Sequence, residues 1–266
     1  MLRSFVELCW KSRRFGALLM LLAVPLGLEA RAQPQLLLAA AANLKPVMEV
    51  LVAEFNAKQP NGLARASYAA SGKLSTQIRE GAPFDLFLAA DMTYPQSLVD
   101  EGYAIGPVQG YARGRLVIWS RQADTATLTM NELSAATGRI AIANPRHAPY
   151  GQRTKQALNQ SGIWQALQSR LVVGENVAQA AQYVQSGNAN IGIIALSQAM
   201  LPLLRRQGHY SLVPQELYAP LDQGMVILRR TRALASARKF QAWVRSPRGQ
   251  NLLQKYGFET VPAQLQ

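Results

Sequence analysis

Short apolar runs alternate along this chain with stretches whose apolar positions recur every three or four residues. The first pair sets the pattern. Leu36–Ala42 is an apolar run that stops at Asn43, and Val47, Val50, Leu51 and Phe55 then fall at i, i+3, i+4 and i+8, on one helix face. Asn43 reads as an N-cap, and Pro46 lies in the first turn, where a missing N–H costs little. The pattern predicts a buried strand that delivers the chain directly onto a helix N-terminus.

The same alternation continues. Ala66–Ala70 reads as a strand, with Ser71-Gly72-Lys73 opening a helix through Leu74, Ile78 and Arg79. Gly81-Ala82-Pro83 breaks that helix; Phe84–Ala89 is a third strand, and a helix through Tyr94, Leu98 and Val99 closes at Gly102. Residues 106–114, with Gly106, Pro107, Gly110 and Gly114, read as a crossover between domains. Further strands follow at Leu116–Trp119, Arg139–Asn144, Leu171–Val173 and Ile191–Ala195. Between them lie a short helix at Met130–Ala135, one starting near Tyr150-Gly151, and one carrying Val177, Ala180, Ala181 and Val184. Pro214–Asp222 reads as a second crossover, before a strand at Met225–Leu228, a helix through Leu234, Phe240 and Val244, and another over Pro247–Tyr256. Alternating strands and helices predict an α/β fold with mostly parallel sheets flanked by helices. Two distant crossovers predict two lobes with a ligand cleft between them: residues 33–112 plus 222–266, and residues 113–221.

The first residues stand outside that pattern. Arg3, Lys11, Arg13 and Arg14 precede an apolar stretch from Phe15 to Leu28, and Ala30-Arg31-Ala32 fits a cleavage site, so residues 1–32 read as an export signal cleaved after Ala32. The alternative is a membrane anchor, for which the stretch is short. Removing the segment removes Cys9, the only cysteine, and leaves 23 basic and 13 acidic side chains. That excess of about ten positive charges is scattered. The pairs Arg205-Arg206 and Arg229-Arg230 are short and lack interleaved aromatics, so nucleic-acid binding is disfavoured.

Candidate chemistry gathers at strand-to-helix junctions, where open α/β sheets bind ligands. Four fit: Ala42-Asn43, Ser71-Gly72, Tyr150-Gly151 and Asn176-Val177. Each helix N-terminus acts as about half a positive charge, so four offer about +2, enough for a dianion without a buried Lys or Arg. Asn43, Ser71 and Tyr150 can donate hydrogen bonds, and a fully deprotonated oxyanion needs only donors. The one acid nearby, Glu175, is expected to pack or cap locally. Each residue has a plainer reading. Asn43, Ser71 and Asn176 could be ordinary caps, and Asp85 and Asp91 read as caps rather than a catalytic pair. Ser71 with Lys73 lacks the S-x-x-K spacing of an activated serine; His147 and His209 lack metal spacing, and no phosphate-binding glycine motif occurs.

Beyond these patterns, Ala40–Leu44, Ser67–Gly72, Gly81–Asp91, Ala143–Gly151, Gly174–Ala180 and Lys255–Phe258 resemble the periplasmic molybdate-binding proteins of molybdate ABC transporters. The resemblance spans essentially the whole chain after the export signal. It implies a type II periplasmic-binding fold that closes on one tetrahedral oxyanion, molybdate or tungstate, with no cofactor and no catalysis. It also implies delivery of that ion to a membrane permease, by a monomer in the periplasm. Carried over by position, the oxyanion-binding residues are Ala42, Asn43, Ser71, Tyr150 and Val177. Many members place a Tyr where this chain has Ala195, and the Pro-Tyr-Gly pattern at Tyr150 implies a hydroxyl from there instead. The alternatives are another oxyanion such as sulfate, a carboxylate solute, or an exported serine hydrolase using Ser71.

Overall fold

In the computed structural model the described residues are 35–59, 63–121 and 128–261. The export signal expected at residues 1–32 lies outside them. The chain runs β1 (Leu36–Ala41), α1 (Lys45–Ala57), β2 (Ala64–Ala69), α2 (Ser71–Arg79), β3 (Leu86–Leu88), α3 (Thr93–Asp100) and β4 (Ala104–Gly114). It continues through β5 (Leu116–Ser120), β6 (Ile140–Ala143), α4 (Pro149–Gln160), α5 (Trp164–Leu167), β7 (Leu171–Gly174), α6 (Val177–Gln185), β8 (Ile191–Ala195), α7 (Leu196–Ala199), α8 (Pro202–Gln207) and β9 (His209–Leu212). It closes with β10 (Leu221–Leu228), α9 (Leu234–Arg245) and α10 (Pro247–Lys255).

The strands form two five-stranded sheets, ordered β2-β1-β3-β10-β4 and β7-β6-β8-β5-β9. In the first, β2, β1 and β3 pair in parallel, while β10 is antiparallel to both β3 and β4. In the second, β7, β6 and β8 are parallel and β5 is antiparallel to both β8 and β9. Each sheet therefore has one reversed strand, and the other four share a direction. The two lobes repeat one topology, although no sequence repeat announces it.

The central strands are apolar throughout because both faces are covered. Along β1, Leu36, Leu38 and Ala40 face the cluster beneath α1, α9 and α10, while Ala39 faces the cluster of Leu74, Phe87 and Leu98. The C-terminal helices complete the first lobe: Phe240 of α9 meets Phe55 of α1 edge to face, ring centroids 5.0 Å apart.

The two lobes join where β4 and β10 lie side by side. Gly114 pairs with Leu221 and Arg113 with Asp222. The Arg113 guanidinium forks onto the Asp222 carboxylate, Nε to Oδ1 at 2.6 Å and Nη2 to Oδ2 at 3.0 Å. The chain end braces this pair, since Arg113 and Glu259 exchange backbone hydrogen bonds of 2.7 and 2.8 Å.

Several local expectations are corrected. Residues 106–114 are not a connecting loop but most of β4, whose Tyr111 and Ala112 enter the core. As the last strand in its sheet, β4 accommodates Pro107, which lacks a ladder N–H. The helix expected at Met130–Ala135 is only a 3-10 turn, Asn131–Leu133. Strand β9 and the short helices α5, α7 and α8 lack a readable period; β9 is an edge strand and largely exposed. Asn43 is not an N-cap: it sits inside a 3-10 turn, Ala42–Leu44, and α1 begins after Leu44 without a side-chain cap. Ser71 is likewise the first residue of α2 rather than its cap. Asn176 does cap α6, accepting from Gln179 N at 3.0 Å.

Candidate solute site

The four predicted junctions meet at one cavity between the lobes. Ala41 ends β1 and Ala42 and Asn43 open the 3-10 turn after it, while Ala69, Ala70 and Ser71 carry the chain from the end of β2 into α2. Across from them stand Ala148, Pro149 and Tyr150 at the start of α4, and Asn176 and Val177 at the start of α6, with Ala90 following β3. All five predicted residues, Ala42, Asn43, Ser71, Tyr150 and Val177, line it. Ala195 does not, so no side chain from β8 reaches the cavity at that position. Among the described residues, none that line the cavity carries a charge.

The first turn of a helix has N–H groups with no intrahelical acceptor. At α6 the N–H groups of Gln179 and Ala180 return to Asn176, leaving Val177 at the cavity as the first helical residue. At α4 the first residue is Pro149, so Tyr150 presents the first N–H. Glycine permits the close approach behind it: a Cβ on Gly151 would stand 2.3 Å from the Ala143 carbonyl oxygen. The cavity is about 10 Å³, room for a body of roughly one water's size before the lining relaxes. Sites for larger metabolites run to about 300–1,000 Å³.

The hydroxyls and amides around the cavity form an ordered network. Ser71 Oγ accepts from Ala90 N at 2.9 Å. Tyr150 Oη accepts from Gln223 Nε2 at 3.3 Å, and Gln223 Oε1 accepts from Asn43 Nδ2 at 3.0 Å. Tyr111 Oη stands within donating distance of both Ala89 O (2.8 Å) and Gln223 Oε1 (2.9 Å). Asn43 thus commits one amide proton within the protein, and its Oδ1 is buried without a partner. Burial pushes the Tyr150 phenol above its ordinary range, with Tyr218 adding to the rise and hydrogen bonds from Gln223 and Asn43 opposing it. Tyr150 therefore keeps its proton at neutral pH.

The second lobe also secures the first junction from behind. Ser197 Oγ and Gln198 Nε2, from α7, donate to the carbonyl oxygens of Asn43 (2.9 Å) and Ala42 (3.2 Å). At the mouth, Gly72 N donates to His147 O at 2.9 Å, and the Glu175 carboxylate meets Lys73 Nζ at 2.6 Å and His147 Nε2 at 3.1 Å. Glu175 is therefore not a local cap; it reaches across the cleft to α2. The Lys73 ammonium holds the Glu175 carboxyl below the ordinary carboxylate range. Burial holds His147 below the ordinary imidazole range, with Glu175 opposing.

Sequence reading missed Gln223, Tyr111, Ser197 and Gln198. Tyr111 lies in the stretch read as the first crossover, and Gln223 lies between the second crossover, Pro214–Asp222, and the strand expected at Met225–Leu228. Asp85, read as a cap, instead accepts from Leu37 N at 2.8 Å and Thr231 Oγ1 at 2.7 Å, tying two segments of the first lobe. Asp91 does serve the start of α3, accepting from Tyr94 N at 3.2 Å. Among the described residues, no group of three or more His, Cys, Asp or Glu side chains could hold a metal ion, and no helix is long and apolar enough to cross a membrane.

Two α/β lobes joined by paired strands and closed on a small, neutral, donor-lined cavity define a solute-binding protein of the type II periplasmic class. The model of the bacterial extracellular solute-binding protein family matches residues 36–259. The chain is 34% identical over 253 residues to the molybdate-binding protein ModA of Rhodobacter capsulatus, covering 93% of this chain and 96% of that one. It is 36% identical over 229 residues to the ModA of Azotobacter vinelandii, covering 83% and 88%. The solved periplasmic molybdate-binding protein of A. vinelandii has a TM-score of 0.79 at 32% identity, over 85% of this chain and 99% of that chain. The chain belongs to the ModA-like family of periplasmic solute-binding proteins. Members of this family bind and deliver rather than catalyse, so Ser71 is not a hydrolase nucleophile.

Proposed function

We propose that this protein captures molybdate or tungstate in the periplasm and delivers it to the permease of an ABC transporter. The observation that carries this reading is the neutral cavity ringed by four helix starts. Partial charges of about half a unit each balance a dianion there, without a fixed countercharge that would hold it too tightly for release. The names of the relatives supply the metal.

Within this reading Asn43, Ser71 and Tyr150 donate from their side chains, while Ala42 and Val177 present backbone N–H groups. Sulfate shares molybdate's charge and tetrahedral shape, so discrimination rests on the radius to which the lining relaxes. We place the lobe division at residues 33–112 plus 222–266 against 113–221, hinged where β4 meets β10. The functional form is a monomer starting at Gln33, after cleavage behind Ala32. A thermal-shift panel tests the assignment, because a solute that binds only the folded state stabilises by RT ln(1 + [L]/Kd). Millimolar molybdate and tungstate are expected to raise the midpoint strongly and sulfate little. No shift with either metal oxyanion refutes it.

A further inference from the structure

We infer that Gln223, which does not line the cavity, is a positioning residue that makes Tyr150 an obligate donor toward the bound oxyanion. The inference rests on the functional reading above and deepens it.

Gln223 is fully buried on β10, two residues from the strand's start beside the lobe junction. A buried carboxamide persists there only if its polar ends are matched, and here they are. Its Oε1 accepts from Asn43 Nδ2 at 3.0 Å, and Tyr111 Oη stands 2.9 Å away with a single proton to share between Oε1 and Ala89 O. With Oε1 turned to Asn43, Nε2 points at Tyr150 Oη, 3.3 Å away. A phenol has one proton and accepts through its oxygen. With the oxygen engaged by an N–H, the Tyr150 proton is the group left for the solute. An oxygen that accepts a hydrogen bond also donates more strongly. Ser71 has the same wiring from a different source: its Oγ accepts from the Ala90 N–H, leaving its own proton. Backbone imposes that arrangement at Ser71, whereas at Tyr150 it depends on side chains, Gln223 foremost and Asn43 beside it. Tyr150 belongs to the second lobe and Gln223 to the first lobe's sheet, so the bond spans the two lobes beside their junction.

The consequence is selectivity by protonation. Donor-wired hydroxyls favour an oxyanion with no proton of its own over one that must also donate. A glutamate at this position reverses the sense, because a carboxylate accepts at both ends and takes the Tyr150 proton for itself.

A double-mutant cycle on the full chain tests this, with the molybdate Kd measured by calorimetry for wild type, Gln223→Met, Tyr150→Phe and the pair. Gln223→Met is expected to weaken molybdate binding about tenfold in the wild-type background and less than twofold in the Tyr150→Phe background. Gln223→Glu is expected to bind more weakly still. Equal losses from Gln223→Met in both backgrounds mean that Gln223 acts only through packing, which overturns the inference. If Tyr150→Phe alone leaves the Kd unchanged, the assignment of Tyr150 to the binding site fails instead. Circular dichroism and the unliganded melting midpoint identify any variant that has not folded, and Gln223→Asn, which keeps an amide on a shorter stem, then replaces Gln223→Met.

Discussion

Lys73 and Glu175 meet across the mouth of the cleft, Nζ 2.6 Å from Oε1, one on a helix of the first lobe and the other following a strand of the second. Both side chains are about half exposed, at 51% and 45%. An ion pair so placed adds little to folding, yet it ties one lobe to the other. Lys73→Ala and Glu175→Gln should therefore leave the melting midpoint nearly unchanged and speed molybdate release a few-fold, as read by stopped-flow fluorescence. Raising the salt concentration should shrink the difference from wild type. Equal release rates at low salt would show that the pair does not hold the cleft.

Asn43 tests the charge logic of the site. It is buried, with one amide proton on Gln223. Asn43→Ala removes donors and should raise the molybdate Kd about tenfold or more, in line with the loss of a hydrogen bond to a charged group. Asn43→Asp places a carboxylate against a dianion and should weaken binding roughly a further tenfold or more. Calorimetry distinguishes them, and equal affinities would mean that residue 43 does not face the ion.

Gly114 lies where the lobes join, and its lack of a side chain is what lets Tyr150 reach the network. A Cβ there would stand 2.0 Å from Tyr150 Oη and 2.7 Å from Gln223 Nε2. Gly114→Ala should displace the phenol, weaken molybdate binding at least about tenfold, and lower stability by about 1–3 kcal/mol as overpacking does. A variant with wild-type affinity would show that Tyr150 need not sit here when the solute is bound.

Asp91 gives a pH signature independent of the solute. Burial pushes its carboxyl up to about 6, against the hydrogen bond from Tyr94 N and the charge of Arg153. A carboxyl whose folded pKa exceeds its unfolded value of 3.8 contributes stability below that value, and loses it as pH rises through about 6. Asp91→Asn keeps the acceptor for Tyr94 and removes the titration. The midpoint of the variant relative to wild type should rise by roughly 5 °C or more between pH 4.5 and 7.5, then level off. A difference independent of pH would show that Asp91 is not forced to ionise in a buried place.

The parts that sequence reading reached are those with a strong local cause. Leu36–Ala41 and Leu86–Ala89 are apolar because both sheet faces are covered, and the four junctions announce themselves at or shortly after the ends of such runs, at Asn43, Ser71, Tyr150 and Asn176. Other features have causes distant in sequence. β4 becomes a strand by pairing with β10 across more than a hundred residues, and its glycines and proline give no local hint of that. Gln223 is tied to the site only because Asn43, Tyr111 and Tyr150 converge on it from three elements. The cap reading of Asn43 failed because the chain inserts a 3-10 turn before α1, which frees the side chain for that network.

The central claim is that one oxyanion sits among the four helix starts. Co-crystallisation with molybdate and anomalous diffraction at the molybdenum absorption edge tests it most directly. One anomalous peak is expected between the lobes, with its oxygens in hydrogen-bond range of Ala42, Asn43, Ser71, Tyr150 and Val177. A peak elsewhere on the molecule, or none at saturating molybdate, would contradict it.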